Sequence, residues 1–290
     1  MRRLKNAALP VLLLVSIAMA PGSLCGQSPP TRVKPQVVVG LEKYRLARGP
    51  TKIASLENAS GLTYCSETKS LFMVLNRPCY VIELALDGTL KRSIRLKDFN
   101  DTEGIVHAGG FTFYIAEERR GNICRINIGR RTKRIEYSDR KVLKLHLEPA
   151  ANNKGLEGLA YDRERQRLFS VKEKHPLKLY QIAAPKASAK KSGIIKFENP
   201  WDLDKSDLHL KDVSAVHYHA PSGHLLILSD ESRCLVETTL DGKEISRLKL
   251  DRGSAGLTEK VPQGEGITMD DEGNIYICSE PNLLYVFKKR

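Results

Sequence analysis

The chain has 290 residues, 28% of them charged and 41% hydrophobic, a globular composition that excludes both a disordered chain and a multi-span membrane protein. The formal net charge is +13, and aromatics make up only 6% with a single Trp, Trp201, which excludes a broad aromatic stacking platform. The basic residues gather at 130–144, 186–196 and 288–290, in what read as outer strands and loops. A solvated basic face that meets an anionic membrane or cell wall is therefore expected, and nucleic acid is not.

Arg2, Arg3 and Lys5 precede an apolar run of 14 residues, 7–20, followed by the small residues Gly22, Ser23 and Gly26. This run has the length of a signal-peptide core and is short of the roughly 20 residues that span a bilayer. Residues 1–26 are read as a signal peptide or N-terminal anchor, 27–39 as a linker and 40–290 as one domain, with an exported, periplasmic or membrane-associated location. Without Arg2, Arg3 and Lys5 the net charge is +10. Cys25 invites lipidation, although Leu24 is bulky for the position before a lipidated Cys. Beyond the signal there are five cysteines, with no CxxC, four of them in apolar runs; buried free thiols are expected rather than a disulfide framework.

From residue 40 onward the chain repeats. Gly40–Leu46 is a β-like piece with no partner of its own. Five short segments then align: Asn58–Leu62, Asp101–Ile105, Gly155–Leu159, Asp212–Val216 and Gln263–Ile267. Their central residues are Ser60, Glu103, Glu157, Ser214 and Glu265, at intervals of 43, 54, 57 and 51 residues, which suit one four-stranded blade each. Each segment leads through a polar or Gly-containing turn into an apolar run: 71–75, 111–116, 168–171, 225–228 and 274–278. Each run is followed by a polar residue: Asn76, Glu118, Glu173, Glu231 and Glu280. These lie 16, 15, 16, 17 and 15 residues after the first polar position, the offset of a hairpin whose ends return to one sheet edge. Third strands are predicted at 80–84, 123–126, 179–182, 235–238 and 283–287, and fourth strands at 90–96 and 244–250. The last unit lacks a fourth strand, which Gly40–Leu46 would supply. The fold expected is all-β, a five-bladed β-propeller closed by an N-terminal strand.

In that fold the repeated polar positions face the mouth of a central channel. Glu103, Glu157 and Glu265 come from the first set and Glu118, Glu173, Glu231 and Glu280 from the second; Asp101, Asp212 and Asp230 lie close by, and Ser60, Ser214 and Asn76 fill neutral places. Carboxylates so placed must protonate, meet basic partners or bind a cation, and hard oxygen donors favour Ca²⁺. The alternative is that each Glu-Gly is a strand-entry turn whose carboxylate caps amides of the next blade. Lys172, Lys174 and Arg119 lie beside the second set and can neutralise part of it.

The succession Ser-Gly-Leu, Thr-Glu-Gly-Ile, Gly-Leu-Glu-Gly-Leu-Ala, Asp-Val-Ser-Ala-Val and Gly-Glu-Gly-Ile-Thr resembles the SdiA-regulated family over about residues 40–290. The resemblance implies a five-bladed propeller distantly similar to NHL-repeat propellers, a calcium site, and an exported or membrane-associated location. By position the implied calcium residues are Glu103, Glu157 and Glu265, with Glu118, Glu173, Glu231 and Glu280 as neighbours; Ser60 and Ser214 stand where acids are expected. It implies no known reaction.

Other motifs read as structural. His217 and His219 share a strand face but are expected to be packed or solvated. Asp202–Ser206 resembles the start of a calcium loop, yet Asp207 stands where an EF-hand needs Gly. Asn58-Ala59-Ser60 and Asn100-Asp101-Thr102 match glycosylation acceptors, but fall at the expected channel mouth. There is no nucleophile elbow and no phosphate-cradling Gly loop. The expected function is a Ca²⁺-binding module or scaffold at the bacterial envelope, monomeric, with an unidentified protein or envelope ligand. The rival expectation is a metal-dependent hydrolase of lactonase or phosphoesterase type, with Glu118 or Glu280 as base and Arg119 or Lys174 steadying an anionic substrate.

Overall fold

The computed structural model describes residues 37–53, 57–145, 155–184, 193–194 and 196–290. The expected export signal, Cys25 and most of the 186–196 basic run lie outside them. Among the described residues there is no α-helix, and no helix is long and apolar enough to cross a membrane.

In chain order the strands are β1 (Tyr44–Lys52); β2 to β5 (Ala59–Cys65, Ser70–Leu75, Tyr80–Leu84, Leu90–Lys97); and β6 to β10 (Thr102–Gly109, Thr112–Glu117, Asn122–Asn127, Arg134–Glu136, Lys141–Lys144). They continue as β11 to β15 (Leu156–Asp162, Arg167–Lys172, Lys178–Ala183, Gly193–Ile194, Phe197–Glu198); β16 to β19 (Ala215–His219, His224–Ser229, Cys234–Thr238, Glu244–Lys249); and β20 to β22 (Gly264–Met269, Ile275–Ser279, Leu283–Lys289). Five antiparallel sheets result, each beginning with an inner strand: β2, β6, β11, β16 and β20. These are blades 1 to 5. At two outer edges the order departs from the simple repeat: β9 joins blade 1 in parallel beside β5, and β14 joins blade 2 in parallel beside β10.

Blade 5 is completed by β1, which pairs antiparallel with β22 from Tyr44↔Lys289 to Lys52↔Leu283. The closing strand starts four residues later than Gly40–Leu46 and runs to Lys52. Gly40, in the left-handed region at φ 68°, instead starts a short 3₁₀ turn at Leu41–Lys43. That turn is fastened by Glu237 of blade 4. The Val39 and Gly40 amides donate to its carboxylate at 2.8 and 3.0 Å, and Ser246 Oγ and His224 Nδ1 lie 2.6 and 2.7 Å from it.

Alternation along the strands explains the packing. On β3 the side chains of Phe72 and Val74 join Ile105, Phe113 and Ile115 of blade 2, whereas Leu71 and Met73 join Tyr276, Cys278 and Leu284 of blade 5. Both faces of the strand are therefore covered, and Ser70–Leu75 is buried throughout. The same holds round the ring: each of five apolar clusters fills one blade-to-blade interface. Cys65, Cys124, Cys234 and Cys278 are buried and Cys79 is half-buried, all five as free thiols.

Candidate metal centre at the propeller axis

The repeated segments sit where the inner strands enter the sheet. In blades 1, 2, 3 and 5 a β-bulge falls on them, between Ala59 and Leu62, Thr102 and Ile105, Leu156 and Leu159, and Gly264 and Gly266. A bulge breaks the strict alternation of the strand and re-aims the side chain it carries, here Ser60, Glu103, Glu157 and Glu265. Two residues earlier, Asn58, Asp101 and Gln263 hold φ of 61°, 53° and 36°, left-handed conformations that turn the chain into the bulge.

The glycine after each polar residue lets the inner strands touch. A Cβ on Gly61 would lie 2.6 Å from the Glu103 carbonyl oxygen, one on Gly104 2.5 Å from that of Glu157, and one on Gly158 2.6 Å from Ala215 Cα. A Cβ on Gly266 would meet the Ser60 carbonyl oxygen at 2.7 Å, which closes the circuit from blade 5 to blade 1. Blade 4, with Ala215 at this place, reaches blade 5 through Ser214, whose hydroxyl donates to the Gly264 carbonyl at 2.6 Å.

The second polar positions return to the same edge. The amides of Asn76, Glu118 and Glu280 donate to the carbonyls of Asn58, Asp101 and Gln263 at 3.3, 2.9 and 3.0 Å, so three blades share one closing hydrogen bond. In blade 4 the residue facing the next blade is Asp230, whose carboxylate accepts the Gly264 amide at 3.2 Å. Glu231, one residue on, is half-exposed and pairs with Lys174 at 2.8 Å. The structure does not bring Glu231 into the axial group: a one-residue step along the chain turned it outward.

Glu103, Glu157, Glu265, Glu118, Glu173 and Glu280 do come together, and their fields act on one another. Burial, then Glu103, Glu118, Glu173 and Glu265, drive the Glu157 carboxyl well above the ordinary carboxylate range. Burial, then Glu280, Glu103 and Glu173, push Glu265 up to about 9. Burial also raises Glu103 to about 7, although Ser60 and Asn76 hydrogen-bond it and work against the rise; Asn76 Nδ2 donates to it at 3.1 Å. Glu118 and Glu280 are raised by burial as well, even though the Gly155 amide donates to Glu118 at 3.0 Å. Amides of the next blade are capped by Glu118 and Asp230, rather than by the Glu-Gly carboxylates for which capping was the alternative.

Cations attend only part of the group. Asp101 pairs with Arg77 at 3.2 Å and Arg119 at 2.5 Å, and Lys174 lies 2.7 Å from Glu173. Asp101, Glu103 and Glu118 each offer an oxygen within 4.8 Å of the others. Glu157 is only 8% exposed, and no hydrogen bond or ion pair from a described residue reaches its carboxylate. An oxygen-only set of carboxylates around a side chain so little exposed fits a hard divalent cation and no soft one. Asp101 thus joins the candidate ligands, having been read from sequence only as a neighbour.

Several other expectations are settled by position. Burial, and then His219, push His217 down to about 3, and His219 Nδ1 lies 2.7 Å from Ser222 Oγ. Asp202 Oδ1 accepts the Asp204 amide at 3.1 Å in a polar loop. A third grouping escaped the sequence reading: Cys65, Glu67 and His107, brought together across the interface of blades 1 and 2.

The model of the family described as SdiA-regulated matches residues 38–288. The chain belongs to the SdiA-regulated family. Among solved structures, this SdiA-regulated propeller is similar to one titled a nidogen/laminin complex, with TM-score 0.50 and 14% identity over 77% of this chain and 73% of that one. It is also similar to a luciferin-regenerating enzyme, with TM-score 0.49 and 10% identity over 83% and 95% of the two chains. Likenesses at such identity concern the fold alone.

Proposed function

We propose that this SdiA-regulated propeller is a calcium-binding module of the bacterial envelope, exported by its N-terminal segment and holding Ca²⁺ at the axial carboxylates. One observation carries the reading: Glu157 is buried and donor-free among Glu103, Glu118, Glu173 and Glu265. Glu103, Glu157 and Glu265 would hold the ion, with Asp101 and Glu118 alongside. When bound, calcium neutralises the converging charge and ties inner strands of different blades to one another. Beside the axis, between blades 4 and 5, a cleft of about 490 Å³ is lined by Lys211, Arg233 and Lys260 together with Asp230 and Glu231, and Arg233 also pairs with Asp251. Its mixed charge suits a polar or ionic group of an envelope partner.

Calorimetric titration of the metal-stripped protein with Ca²⁺ tests this reading. Saturable heat and a rise in melting temperature are expected, both lost in Glu157→Gln. Absence of both from the wild-type chain would remove the calcium reading.

A second reading, a calcium-dependent hydrolase of lactonase or phosphoesterase type, draws on Glu103. Its carboxyl, raised to about 7, suits a general base at neutral pH. Turnover of lactones, aryl esters or phosphate esters, abolished by both Glu157→Gln and Glu265→Gln, would replace the pure binding reading.

A further inference from the structure

The inner strands β2 and β6 carry a second constellation at their far ends. Cys65 closes β2, five residues and about 16 Å along the strand from Ser60. Glu67 stands in the turn that follows, and His107 lies on β6 of the neighbouring blade, its amide donating to Thr63 Oγ1 at 3.1 Å. The donor atoms converge on one point. Cys65 Sγ is 3.6 Å from Glu67 Oε2 and 3.8 Å from His107 Nε2, and that nitrogen is 3.3 Å from the same carboxylate oxygen. A tetrahedral ion with a metal–sulfur bond of about 2.3 Å and metal–nitrogen and metal–oxygen bonds of about 2.0–2.2 Å needs donor separations of about 3.3–3.7 Å. The two distances to Glu67 fall in that range, and the sulfur–nitrogen distance of 3.8 Å lies just above it.

The arrangement does not suit a nucleophile. In a Cys–His–acid relay the acid orients the imidazole through one nitrogen while the thiol uses the other. Here thiol, carboxylate and the Gly110 carbonyl, at 3.2 Å, all face Nε2. One ring nitrogen has one site to offer, so three groups around it compete unless a cation sits among them.

The surroundings hold the three in place. Glu67 accepts the Gly110 amide at 2.8 Å and the Ser66 hydroxyl at 3.1 Å. The His107 ring packs on Phe113 with centroids 4.9 Å apart, and Cys65 and His107 are buried at 2% and 8% exposure. Access comes from one side, where a cleft of about 220 Å³ is lined by Cys65, Glu67, Phe111, Phe113 and Arg130. Arg92 also lines this cleft, and Arg163 lies 3.8 Å from Glu67.

We propose that Cys65, Glu67 and His107 form a Zn²⁺ site distinct from the axial carboxylates, with its fourth coordination position open to this cleft. A thiolate, an imidazole and a carboxylate make a donor set that selects zinc over calcium, the reverse of the oxygen-only group at the axis. Three protein ligands and an open position are the pattern of zinc centres that bind a water or an exogenous ligand rather than purely structural ones.

The test uses the full chain, stripped of metal and titrated with Co²⁺ as a spectroscopic probe, then with Zn²⁺ against a chromophoric chelator. One equivalent of Co²⁺ should give a thiolate-to-cobalt charge-transfer band and the visible bands of a tetrahedral ion, both displaced by Zn²⁺. Cys65→Ser should abolish the charge-transfer band. Glu67→Gln, in the exposed turn after β2, should keep the band and weaken Zn²⁺ binding at least about tenfold. Glu157→Gln should change neither readout, which separates this site from the calcium reading. A thiolate band absent from the wild type, a band that survives in Cys65→Ser, or zinc binding that disappears only in Glu157→Gln would each overturn the proposal.

Discussion

Replacing Glu157 with Gln keeps the shape of the side chain and removes its charge, and two opposite consequences are expected. Without metal, folding at neutral to alkaline pH requires these carboxyls either to take up protons or to ionise against burial and against each other. The scale can be read from Glu103: the interval from 4.5 to about 7 corresponds to roughly 3 kcal/mol at about 1.4 kcal/mol per pH unit. Glu157 is more deeply set and is raised by four neighbours, so removing its charge should stabilise the metal-free fold by about 1–3 kcal/mol. For a unit of this size, melting should rise by about 2–4 °C per kcal/mol. With Ca²⁺ at a hundred times its Kd the wild type gains about 2.7 kcal/mol, and the variant gains little. Thermal melts at pH 8 should therefore place the variant ahead in EDTA and cancel or reverse its lead in Ca²⁺. A variant that melts lower in EDTA and keeps the full calcium increment would refute the argument.

The pH dependence of the metal-free protein has a definite sign. Raised folded-state pKa values mean that the folded state binds more protons than the unfolded one, so stability should fall from pH 4.5 upward, through about 7 for Glu103 and about 9 for Glu265. Urea unfolding at pH 5, 7 and 9 should show this decline, with Ca²⁺ flattening it. Gly158→Ala drives a Cβ to 2.6 Å from the Ala215 backbone and should cost about 1–3 kcal/mol by chemical denaturation, with the five-fold packing loosened at the axis. Glu237→Ala leaves the Val39 and Gly40 amides without their acceptor and should cost about 3–5 kcal/mol, seen also as faster hydrogen exchange along β1. Glu231→Ala, at an exposed ion pair, should change stability by less than about 1 kcal/mol and leave calcium calorimetry unchanged.

The repeat made most of the fold readable. Offsets of 15 to 17 residues between paired polar positions follow from hairpin geometry, and the strand ends at Asn76, Glu118 and Glu280 meet their partners as expected. Glu231 was misplaced because its run, Leu225–Leu228, is followed by Ser229 and two consecutive acids. Alignment on a glutamate passed over Asp230, the residue whose carboxylate caps the next blade. The bulges themselves leave no compositional trace beyond the small residue after each polar one. Edge exchanges such as β9 onto blade 1 are set by loop path, which local pattern does not encode. Cys65, Glu67 and His107 were missed for a similar reason. The first two lie two residues apart at the end of β2 and in the turn after it, but His107 lies 42 residues from Cys65 and arrives only because β2 and β6 lie side by side. A search for a lone His one repeat after a Cys-x-Glu pair is the signal that would have found them.

The pairing of Tyr44 with Lys289 has a consequence for how the molecule is made. A chain that emerges N-terminus first must leave its opening strand waiting, edge exposed, until the last residues are available to receive it. Blades 1 to 4 can assemble as a growing arc, but the arc becomes a circle only in the final step. That same step brings Gly266 against Ser60 and so joins blade 5 to blade 1 at the axis. The clasp and the arrival of Glu265 and Glu280 beside the carboxylates of blades 2 and 3 are thus products of one late event.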